Sequence, residues 1–298
     1  MQQIELRGNS ATRMVWMMAT DITTRKSRVS REFLRPSVGA FALLCLLLSF
    51  ANAFASAPAQ QASVTDTSDP KGLLLLQQMV TALGGDAWLD IADSVTAGRT
   101  ASFFQGSPTE QITPFLQLHR APDEDRIELT KKRDILDIFT PTEGVEITYK
   151  GRQYLPKELV EAMQRRRAHS VDAIARVWMK DPSATVFYLG TEIVGRRQAD
   201  IVRVVNAKND NVTLDLDTQT HLPLRRTFKW RNATFKDFDE DSEEYDSYQP
   251  VQGFQTPFNI TRYHNGDMIE QRYIISVQYN TGLPASLFEP ATIPIPKK

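Results

Sequence analysis

The 298-residue sequence predicts an α+β fold that is mostly β. A single curved antiparallel sheet of about 10–12 strands curls into a barrel or half-barrel, accompanied by an N-terminal helix and a helical insertion. Three observations lead there. From Ser94 onward hydrophobicity alternates with a period of two, the mark of strands with one buried and one wet face. Turn residues fall between the alternating runs. Only two stretches read as helical, and a sheet this wide with so little helix curls into a barrel or half-barrel.

The first element is an export signal over residues 1–57. Val38 to Leu48 is apolar throughout, Arg25, Lys26, Arg28, Arg31 and Arg35 precede it, and the A-x-A steps Ala51–Ala53, Ala53–Ala55 and Ala55–Ala57 follow. A basic region, a short apolar run and small-residue cleavage sites make a secretory signal peptide, removed after Ala53 or Ala55. The run is shorter than the roughly 20 residues of a membrane span; an uncleaved signal acting as a membrane anchor is the alternative. Arg31-Glu32-Phe33-Leu34 lacks the second Arg of a twin-arginine signal. Leu44 before Cys45 is too large for lipidation. Translation starts at Met1, Met14, Met17 or Met18. Residues 58–69 are a polar, flexible linker, and the domain proper is 70–298.

Asp69-Pro70 reads as an N-cap followed by Pro in the first turn. Leu73, Leu76, Val80 and Leu83 make one stripe of an amphipathic helix, which Gly84-Gly85 ends. Trp88, Leu89 and Ile91 suggest a short second turn. Among the strands, Val212, Leu214 and Leu216 alternate with Thr213, Asp215 and Asp217; Leu224, Phe228 and Trp230 alternate with Arg225, Thr227, Lys229 and Arg231. Ile269, Tyr273, Ile275, Val277 and Tyr279 alternate with Glu270, Arg272, Ser276 and Gln278. Turns are expected at Lys150-Gly151, Gly195-Arg196, Asn209-Asp210-Asn211 and Asn265-Gly266, the last a strong hairpin signal. The helical insertion spans 156–180 and is closed by Asp181-Pro182.

Composition excludes several functions. Lys+Arg 35 against Asp+Glu 36 leaves a net charge of −1 and no basic face for nucleic acid. Removing residues 1–57 takes away seven basic and three acidic residues, so the exported chain carries 28 against 33 and no cysteine. That suits an oxidising compartment. A lone Cys excludes a disulfide framework and a CxxC zinc site. No GxSxG, HExxH, P-loop or GxGxxG occurs, so no enzyme, cofactor, metal site or catalytic residue is expected. His119, His169, His221 and His264 are scattered, with His221 and His264 read as solvated loop residues. The acidic run Asp237, Asp239, Glu240, Asp241, Glu243, Glu244 and Asp246 begins like a calcium loop, but Ser242 replaces its Gly and Tyr248 its closing Glu. It reads as a loop entering a strand with a solvated face. Arg165-Arg166-Arg167 reads as a wet helix face, or as a contact with anionic lipid. Three N-x-T sequons, at Asn211, Asn232 and Asn259, read as chance matches.

The helix end Ala82-Leu83-Gly84-Gly85, the stretch Tyr188-Leu189-Gly190 … Val194-Gly195-Arg196-Arg197-Gln198-Ala199-Asp200 … Val204, and Thr213-Leu214-Asp215-Leu216-Asp217-Thr218 … His221-Leu222-Pro223-Leu224-Arg225 carry a resemblance. So do Pro257-Phe258-Asn259-Ile260 … Tyr263-His264-Asn265-Gly266 and Leu283-Pro284-Ala285-Ser286-Leu287-Phe288. Over roughly residues 72–290 the chain resembles the bacterial outer-membrane lipoprotein-sorting carriers, the LolA/LolB-like group. The resemblance implies a half-open barrel, helices forming a lid, and an apolar cavity holding acyl chains of a lipid or lipoprotein in the periplasm. Trp178, Leu214, Leu216, Phe228, Trp230, Phe258, Ile260, Tyr273 and Ile275 would line it, or pack as ordinary core. The cargo, and a membrane-bound donor or acceptor protein, would be the partners of a monomer. The alternative is an envelope-stress or regulatory sensor domain that binds a membrane protein.

Overall fold

The computed structural model describes residues 67–109, 112–232 and 234–297. The export signal, Cys45 and most of the 58–69 linker lie outside the described residues. Among them the chain forms one antiparallel sheet of 14 strands: β1 (Asp93–Phe104), β2 (Ser107–Pro108), β3 (Thr113–Arg120), β4 (Glu124–Leu129), β5 (Ile135–Phe139), β6 (Gly144–Thr148), β7 (Gly151–Tyr154), β8 (Thr185–Val194), β9 (Arg197–Val205), β10 (Asn211–Asp217), β11 (Pro223–Arg231), β12 (Phe238–Val251), β13 (Phe254–His264) and β14 (Asp267–Tyr279). The order across the sheet is β7-β6-β5-β4-β3-β1-β14-β13-β12-β11-β10-β9-β8, with β2 paired to β1 alone. The chain thus starts in mid-sheet, meanders to one free edge, crosses to the other, and meanders back until its last strand pairs with its first. The count exceeds the expected 10–12 because β2 has two residues and β7 four, too few for an alternation to register.

Four helices accompany the sheet among the described residues: α1 (Pro70–Leu83), α2 (Asp86–Leu89), α3 (Lys157–Ala168) and α4 (Val171–Arg176), with 3-10 turns at Trp178–Lys180 and Ala285–Phe288. Asp69 caps α1, its carboxylate accepting from the Lys71 N–H at 2.8 Å. Gly84 ends it at φ 137°, where a Cβ would lie 2.6 Å from the Phe254 ring. The buried face of α1 is Gly72, Leu75, Leu76, Met79 and Leu83 rather than the stripe through Leu73 and Val80. Four successive leucines, 73–76, leave the face open to choice; Gly72, whose Cβ would sit 2.8 Å from Val186, fixes it by letting α1 approach β8. The insertion, expected as one piece, breaks at His169-Ser170, where Ser170 Oγ accepts from the Ala173 N–H at 3.1 Å and starts α4.

The sheet carries apolar cores on both faces. On the helix-facing side Leu75, Leu76, Met79 and Leu83 of α1 pack with Ile174 and Trp178 of the insertion on Val202, Val204, Val212, Leu214, Leu216 and Phe228. On the opposite side Leu136, Ile138, Val145 and Ile147 pack on Ile293 from the C-terminal segment. Arg152 holds that segment, donating to the carbonyls of Pro290 at 2.7 Å, Ala291 and Ile293. Asp93 ties the first strand to the last: its carboxylate accepts from Thr281, Gly282 and Leu283 N–H groups at 2.6, 2.9 and 3.2 Å. No helix among the described residues is long and apolar enough to cross a membrane.

Candidate functional site

The insertion joins the two free edges of the sheet, β7 and β8, and its helices lie over the sheet's inner side. Strand register shows what they cover. Residues paired across adjacent strands share a face, so the face of Phe228 continues through Asp241 to His264. The face of Arg226, next to Phe228 on that side, continues through Glu243 and Arg262 to Glu270. The helix-facing side therefore changes character between β11 and β12, from apolar to charged.

The charged half is a paired network. Arg226, only 1% exposed, sets its Nη2 2.9 Å from Glu243 and donates from Nη1 to the His169 carbonyl at 3.3 Å. Glu243 also accepts from the Tyr245 hydroxyl at 2.9 Å and lies 3.5 Å from Arg262. Arg262 reaches Glu270 at 2.7 Å, and Glu270 accepts from Thr100 Oγ1 at 2.9 Å. Asp241 pairs with His264 Nδ1 at 2.8 Å. Burial alone would raise the Glu243 carboxyl, but Arg226 and Arg262 beside it hold it down at about 2. The hydrogen bond to Asp241 keeps His264 above the ordinary imidazole value.

The insertion contributes cations from above. Arg165 lies 4.4 Å over the Trp230 ring. Arg167 pairs with Asp125, which is fully buried and also accepts from Gln117 Nε2 at 2.9 Å. Arg166 lies near Arg262, Asp241, Glu243 and Glu270; burial and then Arg262 depress its guanidinium to about 9. Further along, Asp137 on β5 faces Glu146 on β6 and is 5% exposed, with its Oδ1 unmatched by a hydrogen bond. Burial, reinforced by Glu146, pushes Asp137 up to about 7.

Several sequence expectations change here. Arg165-Arg166-Arg167 is not a wet face but the surface by which α3 meets the sheet. Asp239, Asp241 and Glu243 point under the helices rather than into solvent, because register sets them opposite Trp230, Phe228 and Arg226. His264 belongs to β13 and is held by Asp241 instead of lying free in a loop, and His221 Nδ1 is buried in its turn. On β14 the faces are inverted up to Ile275: Glu270 and Arg272 turn inward, while Tyr273 is 40% and Ile275 62% exposed, and the register shift at Ala97/Gly98 then brings Val277 to the buried side as expected. Cross-strand partners let the charged row be the inner one. From Asp239 on, the acidic run lies in the strand β12 rather than in a loop; among the described residues there is no group of three or more His, Cys, Asp or Glu that could hold a metal.

Of the nine residues expected to line a cavity, Trp178, Leu214, Leu216 and Phe228 lie together in the core with α1, and Trp230 packs partly buried against them. Phe258 and Ile260 are half-buried on β13, Ile260 opposite Arg272. Tyr273 and Ile275 stand apart on exposed positions. An open depression of about 520 Å³ lies at the strand turns, lined by Asn232, Phe235, Phe238, Asn265 and neighbours.

No protein-family model matches the chain, and no curated protein matches it by sequence. Among solved structures, a DUF1329 family protein from Desulfovibrio piger ATCC 29098 is similar over 74% of this chain and 96% of its own, with a TM-score of 0.50 at 12% identity. A putative outer membrane lipoprotein-sorting protein domain from Vibrio parahaemolyticus matches 73% and 96%, with a TM-score of 0.47 and 12% identity. A LolA superfamily protein from Nitrosomonas europaea matches 73% and 97%, with a TM-score of 0.46 and 12% identity. The chain shares the fold of the DUF1329 family protein, and its single antiparallel sheet with two free edges matches the half-open barrel expected from the sequence.

Proposed function

We propose that this protein is a non-catalytic periplasmic carrier or binding protein that takes an acyl chain of a lipid or lipoprotein between sheet and helices. The single observation that carries the reading is the helical insertion: it bridges the sheet's two free edges and lies on an inner face split into an apolar and a charged half. Such a face suits an amphiphile, and an insertion held to the sheet by side-chain contacts rather than by strand pairing can lift without unpairing the sheet. Trp178, Leu214, Leu216, Phe228 and Trp230 would receive the chain, with Phe258 and Ile260 at its margin. Covering sixteen methylenes at ~0.8 kcal/mol each contributes on the order of 10 kcal/mol, enough to offset displacing α1 or α4 from the strip. Ligand binding would select the lifted state by its differential affinity.

Quenching of Trp178 by a brominated fatty acid tests this, in a chain beginning at residue 58 with Trp88 and Trp230 replaced by Phe. Saturable quenching at about one equivalent is expected, together with amphiphile recovered by mass spectrometry from protein purified out of the periplasm. No quenching and no recovered lipid would overturn the reading. A membrane protein copurifying in place of lipid would establish the sensor alternative.

A further inference from the structure

Two guanidinium groups on the inner face have no carboxylate of their own. Among the described residues, Arg166 makes no ion pair within 4.0 Å, and its recorded hydrogen bond is to Met163 Sδ at 3.6 Å. Arg272 likewise has no ion pair; it donates to Gln117 Oε1 at 2.7 Å and lies 4.2 Å over the Phe115 ring. The carboxylates around them are already taken, Glu243 by Arg226 and Tyr245, Glu270 by Arg262 and Thr100, Asp241 by His264. A chain of contacts joins Arg272 to α3: Gln117, which accepts from Arg272, donates to Asp125 at 2.9 Å, and Asp125 pairs with Arg167, the neighbour of Arg166 in sequence. Leaving two half-desolvated cations beside a third is costly unless an anion completes the set. A guanidinium offers a bidentate fork that matches phosphate and carboxylate.

Resting on the carrier reading, we propose that the ligand is an anionic amphiphile whose phosphate or carboxylate head is taken by Arg166 of α3 and Arg272 of β14, while its chain enters the apolar half. The headgroup then replaces the missing counter-charge and holds α3 in register with the sheet. Cation excess is what selects the anion: Arg165, Arg166, Arg226, Arg262 and Arg272 face four carboxylates, of which Asp239 is already taken by Asn232 and Asn265 and Asp241 by His264. A zwitterionic or neutral head leaves the two arginines unmatched.

The test compares, in the chain from residue 58, lysophosphatidic acid with a neutral monoacylglycerol of the same chain length. The anionic ligand should bind at least about ten-fold tighter, and the ratio should fall as salt is raised. Arg166→Gln and Arg272→Gln should each narrow the ratio several-fold without weakening the neutral ligand, and Arg166→Lys should keep most of it. Inorganic phosphate that competes as well as the lysolipid would assign the site to a free anion rather than a headgroup, overturning the proposal. Equal affinities for the two lipids, or a preference untouched in both variants, would overturn it while leaving the carrier reading intact. Failure of both lipids to bind overturns both readings. The wild-type comparison and its salt dependence stand even where a variant fails to fold.

Discussion

The strip of sheet beneath α1, from β8 to β11, and the strip beneath α3, from β12 across β14 and β1 to β4, are neighbours on one face and are held in opposite ways. Under α1 the contacts are methyls and rings: Leu76, Met79, Val202, Leu214 and Leu216 are all fully buried. Such packing is non-directional, so a helix can be displaced and replaced by another apolar body at modest cost. Under α3 the contacts are ion pairs with fixed partners, Arg167 on Asp125 and Arg226 on both Glu243 and the His169 carbonyl. Ion pairs give position more than net stability. The apolar strip thus governs how strongly the insertion is held, and the charged strip where it sits. Phe228 joins the two, with Arg226 over its ring at 5.0 Å and His169 stacked on it at 4.4 Å.

Breaking the charged strip should produce the largest effect. Glu243→Leu removes the carboxylate that neutralises Arg226, which is 1% exposed, and leaves a buried charge without a partner. A loss of about 3–5 kcal/mol is expected in urea unfolding. Pairing Glu243→Leu with Arg226→Leu should restore most of it, since two apolar groups need no counter-charge. A double variant as unstable as the single one would contradict the division drawn above. On the apolar strip, Leu214→Ala should cost about 3 kcal/mol through lost transfer energy and the void it leaves. Unlike Glu243→Leu, it should be insensitive to salt and to pH between 5 and 8.

How legible these two strips were differs as much as their chemistry. The turns were plain: Asn265 and Gly266 take the positive φ values, 50° and 83°, that a tight hairpin requires. The cap of α1 was equally plain, because caps and turns are local and a residue type answers to its own backbone. The apolar strip showed through as Val212, Leu214, Leu216 and Phe228. The charged strip did not, since alternating charge along β12 and β14 has the same pattern whether it faces water or other charges. What decides is partners remote in sequence, Glu270 with Thr100 or Gln117 with Arg272. One local sign existed: Arg226 sits at an inward position between Leu224 and Phe228, where an apolar residue was due. A bulge opposite Asp215 and Leu216 also turns Leu224 to the other face, with Val194, Ala199 and Ile201.

At the far end of the inner face, Asp137 sharpens the comparison with a group that has no ion pair among the described residues. Its folded value of about 7 lies above the ordinary 3.8. Between pH 4 and 7 the folded chain therefore holds a proton that the unfolded chain has lost, and stability must fall as pH rises through that window. His119, lowered to about 4, acts in the opposite sense over much of the same range. The difference between wild type and Asp137→Asn isolates the carboxyl. The variant should gain about 2 kcal/mol at pH 7.5 relative to pH 5, at 1.4 kcal/mol per unit with allowance for the unmatched oxygen. Parallel pH profiles for the two proteins would show that Asp137 is ionised without cost, and that this end of the strip is wetter than its burial implies.

The smallest expected effect lies at the start of α1. Asp69 accepts from the Lys71 N–H at 2.8 Å, while its own N–H donates to the Val186 carbonyl at 2.8 Å and so joins the helix to the edge strand β8. Asp69→Ala removes the cap but keeps the backbone bond, so about 1 kcal/mol should be lost. Helix α3 has no equivalent, since Pro156 at its N-cap position makes no side-chain hydrogen bond. If α1 belongs to the stable, apolar strip and α3 to a separately opening one, hydrogen exchange in Asp69→Ala should quicken at Leu76 and Met79 together with Val204 and Leu214. Amides of α3 should keep their wild-type rates, because their opening is limited by ion pairs that the cap does not touch. Equal acceleration in both helices would mean that they open as one unit, and the two strips would then be a single lid.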